Sequence, residues 1–194
     1  MDDQPIQEIL QFWFSTGEEA TYDRRCQVWF GKQPELDAAI QRDFQDIYTQ
    51  AAAGQLNHWR HTPQGCLALI LLLDQFSRNM FRDTPQAFAT DPQARQVAQF
   101  AVEQGYDQQL LPIERIFVYL PFEHSEDLTD QQRSVDLFQA LTQTAPDLID
   151  VYDYALRHQR VIQQFGRFPH RNRILERAST AAEIEFLKQP GSAF

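Results

Sequence analysis

The segment from Leu67 to Leu73 constrains the fold of this chain more than any other part of the sequence. Every residue in it is apolar, and Pro63 stands shortly before it, at a position typical of the first turn of a helix. A helix that is apolar on all sides must be surrounded by other elements, so we expect it at the centre of the protein. It is also far shorter than the roughly 20 residues that a membrane-spanning helix needs.

Helical periodicity dominates the rest of the sequence, and no stretch shows the alternation and hairpin turns of β-strands. Caps, prolines and glycines predict the helix boundaries, with Asp91 as an N-cap. The predicted helices are Pro5 to Phe14, Tyr22 to Phe30, Pro34 to Gly54, one from Pro63, one from Asp91-Pro92, one from Pro112, one from a capping box at Thr129, Pro146 to Gln164 with Gly166 as its end, and a short one from a capping box at Thr180.

These signals predict an all-α fold of eight or nine helices, packed as antiparallel hairpins in a single domain over residues 1–194. The length fits one domain, and no linker or low-complexity tract divides it. The sequence shows no fixed repeat near 34 residues. Two cysteines, Cys26 and Cys66, are too few for a disulfide scaffold, which indicates reduced thiols.

The chain carries a formal net charge of −10, but the charge is unevenly distributed. Residues 157–177 contain six arginines and one glutamate, and Lys32 and Lys188 are the only lysines of the chain. Arginine favours planar, two-point recognition of carboxylate or phosphate. The negative overall field disfavours nucleic acid and anionic membranes as partners. The acidic first residues lack the layout of a signal peptide, so we expect a soluble, cytoplasmic protein.

The first candidate for chemistry directly follows the apolar helix and contains Asp74, Gln75, Arg78 and Asn79. Asp74 and Arg78 are four residues apart and therefore share a helix face. A carboxylate and a guanidinium that project from a buried face must pair with each other or line a pocket. The alternative is a purely structural ion pair.

The second candidate is Glu123-His124, which we expect on a turn after an apolar helix. A carboxylate near an imidazole can make it a proton carrier, and the alternative is a solvated acidic loop. The third is His158, which falls in the middle of an apolar helical stripe. Its alternative is a core histidine that is satisfied by hydrogen bonds, for which Tyr152 and Tyr154 are near.

The fourth candidate is the loop 165–173, in which we expect Phe168 to anchor the chain in the core. Its polar residues are Arg167, His170, Arg171, Asn172 and Arg173. This set of donors suits an oxygen-rich anion. The alternative is that the arginines cap helix ends or neutralise the acidic remainder of the protein.

In these segments the chain resembles the bacterial domain-of-unknown-function family 924, whose members look like tetratricopeptide-type helical proteins. The similar segments, in order, are Phe12-Trp13-Phe14, Trp29-Phe30, residues 72–79, Ala87-Phe88-Ala89 with Asp91, residues 121–127, and residues 165–172 with Ser179-Thr180. The sequence departs from the family pattern at Ser77, where proline is expected, and at Glu176, where glycine is expected. The resemblance implies a concave groove and one shared polar site, and it carries no reaction with it.

We therefore predict one polar pocket beside the central helix. Its ligand-binding residues would be Asp74, Gln75, Arg78, Asn79, Arg167, Arg171 and Asn172, and its catalytic candidates Glu123, His124, His158 and His170. The predicted ligand is a small anionic molecule, a phosphate or a carboxylate, held by Arg78, Arg167 and Arg171. Glu123 and His124 would act as an acid–base pair. We expect proton transfer or hydrolysis without a cofactor or a metal, since no two histidines have ligand spacing on one helix.

The competing hypothesis is a non-catalytic interaction module. Helical repeats usually bind peptides or partner proteins, and the aromatic residues at 12–14 and 29–30 would then form a docking surface. Nucleic-acid binding through residues 157–177 is disfavoured by the overall charge and by the scarcity of interleaved aromatic residues. Convergence of the polar groups in one concave space would favour the pocket, and dispersal to helix ends would favour the module.

Overall fold

The computed structural model describes residues 3–15 and 29–192, and the regular structure within these ranges is entirely helical. The α-helices are α1 (Gln4–Ser15), α2 (Pro34–Ala52), α3 (63–80), α4 (Asp91–Glu103), α5 (Pro112–Glu123), α6 (Leu128–Thr144), α7 (Ile149–Phe165) and α8 (Ala181–Phe186). Short 3₁₀ turns join them at Asn57–His61, Pro85–Phe88, Asp107–Gln109, Pro146–Leu148 and Pro169–Arg171. The predicted all-α class is confirmed. Of the helix predicted over Tyr22 to Phe30, residues 22–28 lie outside the described ranges.

Helix α3 is the centre of the fold, as its apolar composition predicts. Residues 65–77 are all buried, and α1, α2, α4 and α5 pack around them. The helix begins with Thr62, whose side chain accepts a hydrogen bond from the Gly65 N–H. Gly65 is required there because a Cβ atom would overlap the carbonyl oxygen of Trp59.

The middle of α3 is not a regular α-helix. Pro63–Ile70 is α-helical, Leu71–Phe76 forms a π-helical turn, and Ser77–Met80 returns to α-helix. A π-helical turn contains one more residue than an α-helical turn, and such turns occur frequently at functional sites. Asp74 and Gln75 lie within this turn.

Two of the predicted helix caps differ from the structure. The N-cap of α4 is Thr90 and not Asp91, because the Asp91 side chain is engaged by Arg78. The N-cap of α6 is Asp127, which accepts hydrogen bonds from two backbone N–H groups, so the helix starts before the predicted capping box at Thr129. The Gly166 end of α7, with φ of +69°, and the capping box at Thr180 are as predicted.

The aromatic residues near the N-terminus pack mostly inside the protein. Trp13 contacts Phe76 and Phe117, and Trp29 contacts Phe117 while its indole N–H donates to the Trp13 carbonyl. Residues 12 and 14 pack against the same core, and only Phe30 is substantially exposed, at 50%. The aromatic residues at 12–14 and 29 therefore do not form the predicted docking surface.

Among the helices of the described ranges, none combines the length and the apolar character that crossing a bilayer would require.

Candidate functional site

A cavity of about 370 Å³ lies where the end of α3 meets the C-terminal end of α5, helix α7 and the turn Pro169–Arg171. Seven of the residues predicted for the site line it, namely Gln75, Arg78, Asn79, His124, His158, His170 and Arg171. Asp74 and Glu123 lie directly behind this lining and contact it. The three histidines, which come from separate parts of the chain, therefore share one hollow.

Asp74 is the buried anion of the site. It is fully inaccessible, and its Oδ1 lies 2.8 Å from His124 Nδ1 and 3.1 Å from Arg78 Nη1, while Gln75 donates a hydrogen bond to Oδ2. Burial by itself would raise the pKa of Asp74, but the charge of Arg78 and the hydrogen bonds from His124 and Gln75 outweigh it and lower the pKa. Asp74 is thus ionised, and the predicted Asp74–Arg78 pair is present.

His124 is held in one tautomer by this carboxylate. Burial lowers the pKa of His124, Arg78 lowers it further, and Asp74 only partly opposes both. The imidazole is therefore neutral near pH 7. Because ionised Asp74 can only accept, we assign the proton to Nδ1, which leaves Nε2 as an unprotonated acceptor on a ring that lines the cavity.

The predicted pairing of Glu123 with His124 is wrong. Glu123 is the last residue of α5, not a turn residue, and its Oε1 lies 3.1 Å from Nδ1 of His158. Successive residues of a helix point about 100° apart, so neighbours in sequence face different partners. His158 Nδ1 also lies 2.9 Å from the carbonyl oxygen of Tyr154, so this contact with Tyr154 is made through its backbone.

The pair of Glu123 and His158 forms a second buried group behind the first. Burial, together with the charge of Asp74, raises the pKa of Glu123 to about 8, and burial lowers the pKa of His158 to about 3. Both side chains are therefore mostly uncharged near pH 7. The ring centroids of His124 and His158 lie 6.4 Å apart, which connects this pair to the cavity.

Two of the arginines predicted for the site, Arg78 and Arg171, line the cavity, and their environments differ. Arg78 binds Asp91 through two hydrogen bonds of 2.9 and 3.0 Å; burial lowers its pKa, but Asp74 and Asp91 outweigh burial and raise it overall. Arg171 is 6% exposed, its Nη1 lies 3.6 Å from Asp91 Oδ2, and its Nε has no hydrogen-bond acceptor among the described residues. Burial, and next the charge of Arg78, lower the pKa of Arg171 to about 10. Arg171 is a cation with unused donors.

The remaining polar residues of the C-terminal loop support the structure around the cavity. Arg167 binds both carboxylate oxygens of Glu183, and Arg177 binds both of Glu126. Asn172 is buried and accepts a hydrogen bond from Arg177. Arg167 and Asn172 are not among the residues that line the cavity. Arg167 thus fits the alternative interpretation, in which the arginines of this loop neutralise acidic residues. Of the loop residues predicted for the site, His170 and Arg171 line the cavity.

His170 completes the polar lining. Burial lowers its pKa to about 4, and the neighbouring charge of Arg171 acts in the same direction. Like His124 and His158, it is therefore neutral near pH 7 and can accept a proton.

The sequence reasoning missed part of the lining. The predicted list of site residues omits Trp29, Phe30, Lys32, Arg82, Asp83, Ala87, Phe88, Ile174 and also Arg173, which the sequence analysis named in the fourth candidate loop. Arg82 is four residues after Arg78, so the helical spacing that identified Arg78 could also have identified it. Asp37 of α2 holds both Arg82 and Asn79, at 2.7 to 2.8 Å.

The cavity brings neutral imidazoles together with a buried guanidinium. Its described lining contains no serine, threonine or cysteine, so it offers no hydroxyl or thiol nucleophile. Within the described ranges, no three metal-ligating side chains are grouped so as to hold a metal ion. The arrangement can bind an anion at Arg171 and accept a proton at a nearby imidazole.

The profile of a family described as bacterial protein of unknown function (DUF924) matches residues 9–191 of this sequence. The chain belongs to this family. A solved structure of a protein of unknown function, ATU0120 from Agrobacterium tumefaciens, is similar to this DUF924 protein at 38% identity and a TM-score of 0.84. The similarity covers 95% of this chain and 97% of that one. No protein with a curated description matches the sequence.

The two departures from the expected DUF924 pattern have visible structural correlates. Glu176 has a φ of +54°, a conformation that favours glycine, which is the residue expected there. Ser77 follows the π-helical turn, and its hydroxyl hydrogen-bonds the carbonyls of Leu73 and Asp74. Both positions flank the site, and neither departure moves Arg78 or Arg171 away from the cavity.

Arg171 and Arg78 should respond differently to replacement. Arg171→Met should change the free energy of unfolding by less than about 1 kcal/mol, because it removes a buried charge whose Nε lacks an acceptor. Arg78→Met should lower it by about 3–5 kcal/mol, because Asp74 and Asp91 lose their partner. Urea unfolding followed by circular dichroism measures both. Equal losses would mean that Arg171 is a structural ion-pair partner like Arg78.

The raised pKa of Glu123 predicts how stability depends on pH. Between about pH 4.5 and 8 the folded state keeps a proton that the unfolded state releases, so this group lowers stability as pH rises. Glu123→Gln removes the effect. Relative to the wild type, the variant should gain about 1.4 kcal/mol in free energy of unfolding per pH unit across this window.

Chemical unfolding at several pH values checks this expectation, and Glu103→Gln, at an exposed position, is the control that should show no such gain. If the free energy of unfolding of Glu123→Gln instead fell relative to that of the wild type as pH rises, Glu123 would be ionised and paired with a charged His158.

Proposed function

We propose that this DUF924 protein binds a small anionic metabolite, a carboxylate or phosphate compound, and that His124 acts on it as a general base. The observation that carries the proposal is the buried guanidinium of Arg171, whose Nε has no acceptor among the described residues, in the same cavity as an imidazole held by Asp74. Buried polar groups are normally satisfied, so a guanidinium with an unsatisfied donor, on a residue that lines a cavity, favours a ligand as its hydrogen-bonding partner.

The proposed chemistry is proton transfer or hydrolysis without a cofactor. The carboxylate of Asp74 orients the ring, and Nε2 of His124 takes a proton from a bound water or from the ligand itself. In the hydrolytic case the water oxygen attacks the ligand, and the proton on Nε2 passes to the leaving group. The pair of Glu123 and His158 is a second group able to exchange a proton with the cavity.

A non-catalytic, tetratricopeptide-like peptide-binding module remains the competing hypothesis. It is supported less well, because most of its candidate docking residues at 12–14 and 29–30 pack in the core while the polar groups meet in one cavity. Our proposal includes a location in the cytoplasm, in keeping with the free, buried thiol of Cys66.

Anion binding should depend on Arg171. We expect phosphate or carboxylate compounds to raise the melting temperature of the wild type by several degrees at saturating concentration, since a ligand at 100 times its Kd adds about 2.7 kcal/mol of stability. Arg171→Gln should lose this effect. Arg160→Gln removes the same charge from an exposed position of α7 and should keep it. The proposal fails if no compound stabilises the wild type more than Arg171→Gln.

The base function predicts one protonation state of His124. In ¹⁵N NMR of the histidine side chains at pH 7, His124 should carry its proton on Nδ1 and none on Nε2. The exposed His58 and His61 should instead exchange between tautomers, and His124→Gln assigns the signal. A proton on Nε2, or a charged ring, would remove His124 as the base.

A further inference from the structure

We infer that the preferred ligand is a carboxylate joined to an apolar body of the size of an aromatic ring, in preference to a phosphate compound. This inference rests on the proposed function and names the chemical class of the ligand for the same cavity. Four properties of the cavity carry it: its apolar wall, its volume, its charge and the setting of Arg171.

Part of the cavity lining, here called the apolar wall, consists of apolar side chains. Trp29, Phe30, Phe88 and Ile174 form it, and they line the cavity together with the polar groups. The indole N–H of Trp29 already donates to the carbonyl of Trp13, so no polar group of that ring is left for the ligand. Apolar surface that faces a cavity gains free energy when an apolar ligand group covers it. The ligand should therefore carry such a group.

The volume exceeds what a simple anion fills. Ligand sites for small organic molecules range from about 300 to 1,000 Å³. At about 370 Å³ the cavity lies at the lower end of this range, which suits a compact organic acid. Acetate or inorganic phosphate would leave the apolar wall uncovered.

The charge at the base of the cavity suits a single negative charge. Arg78 and Arg171 are balanced there by the carboxylates of Asp74 and Asp91, and the histidines are neutral. A phosphate monoester carries up to two negative charges near pH 7. Its second charge would lie near the carboxylates of buried Asp74 and partly buried Asp91, and their repulsion is strong where burial weakens screening.

Arg82, a further cation of the lining, is already paired with Asp37, and the two remaining cations lie toward solvent. Lys32 is exposed and lies 3.9 Å from Asp83, and Arg173 is also exposed. Interactions between exposed charges are weak and screened by salt, so these two side chains compensate a second ligand charge only slightly.

The setting of Arg171 favours a planar acceptor. Its guanidinium carbon lies 4.7 Å from the ring centroid of Phe88 and 4.5 Å from that of Phe168. Aromatic contacts over the guanidinium leave its N–H groups to bond in the plane of the group. A carboxylate matches this planar fork with two parallel hydrogen bonds. The Phe88 ring then contacts both the guanidinium and the ligand body.

Matched probes test the inference by calorimetry at pH 7.5. The probes are acetate, phenylacetate, inorganic phosphate, phenyl phosphate and the uncharged 2-phenylethanol. We expect phenylacetate to bind about tenfold or more tightly than acetate or phenyl phosphate, and 2-phenylethanol not to bind detectably. Arg171→Gln should abolish binding of both carboxylates, and Arg160→Gln should bind as the wild type does.

Phe88→Ala separates the apolar body from the anion site. It should reduce the ratio of phenylacetate affinity to acetate affinity to near one. Because Phe88 also contacts the Arg171 guanidinium, a weakened anion site would lower both affinities by the same factor and leave this ratio unchanged. Ile174→Ser, at a partly buried position on the same wall, is a second variant with the same expectation.

The outcomes distinguish the two proposals. If phenyl phosphate binds as tightly as phenylacetate, or phenylacetate no more tightly than acetate, with both dependent on Arg171, this inference is wrong and the proposed function stands. If no anion binds in an Arg171-dependent way, the proposed function itself is wrong.

Discussion

The ionised carboxylate of Asp74 lies inside the most apolar helix of the protein, where an unpaired charge would cost several kcal/mol. Arg78, His124 and Gln75 compensate it from the same helix and from the end of α5. Arg78 in turn binds Asp91, which joins the start of α4 to α3. One charge therefore fixes the relative positions of three helices in addition to their apolar packing, and it also sets the tautomer of the imidazole that faces the cavity.

Much of the fold could be predicted from the sequence, because the signals that specify it are local. The apolar segment at Leu67 to Leu73, the Gly166 cap and the Thr180 capping box each act within a few residues, and the structure has them as predicted. Asp91 was misassigned as a cap because the partner that engages its carboxylate, Arg78, is thirteen residues away. Local sequence preferences do not show that the Asp91 carboxylate accepts hydrogen bonds from Arg78.

The candidate site could be predicted as a set of residues but not as a set of pairs. Most of the named polar residues line the cavity or contact its lining. A polar group on a buried helix face must be paired or must face a cavity, because burying it without a partner costs free energy. Partner choice depends on helix packing, however. Glu123 and His124 are adjacent in sequence and engage different helices, and Arg167 and Arg171 share one loop yet bind far-separated acids. Such choices are made by tertiary contacts between residues that the sequence places far apart.

The π-helical turn Leu71–Phe76 sets the direction in which the later side chains of α3 point. Its additional residue rotates every later side chain of α3 by about 100° about the helix axis, compared with an uninterrupted α-helix. Deletion of one residue in this segment would leave α3 apolar on all sides and therefore still suited to a buried position. Arg78 and Asn79 would then turn away from Asp91 and Asp37. One in-frame deletion here would therefore remove Arg78 from the cavity lining and weaken the ion pairs that join α3 to its neighbours.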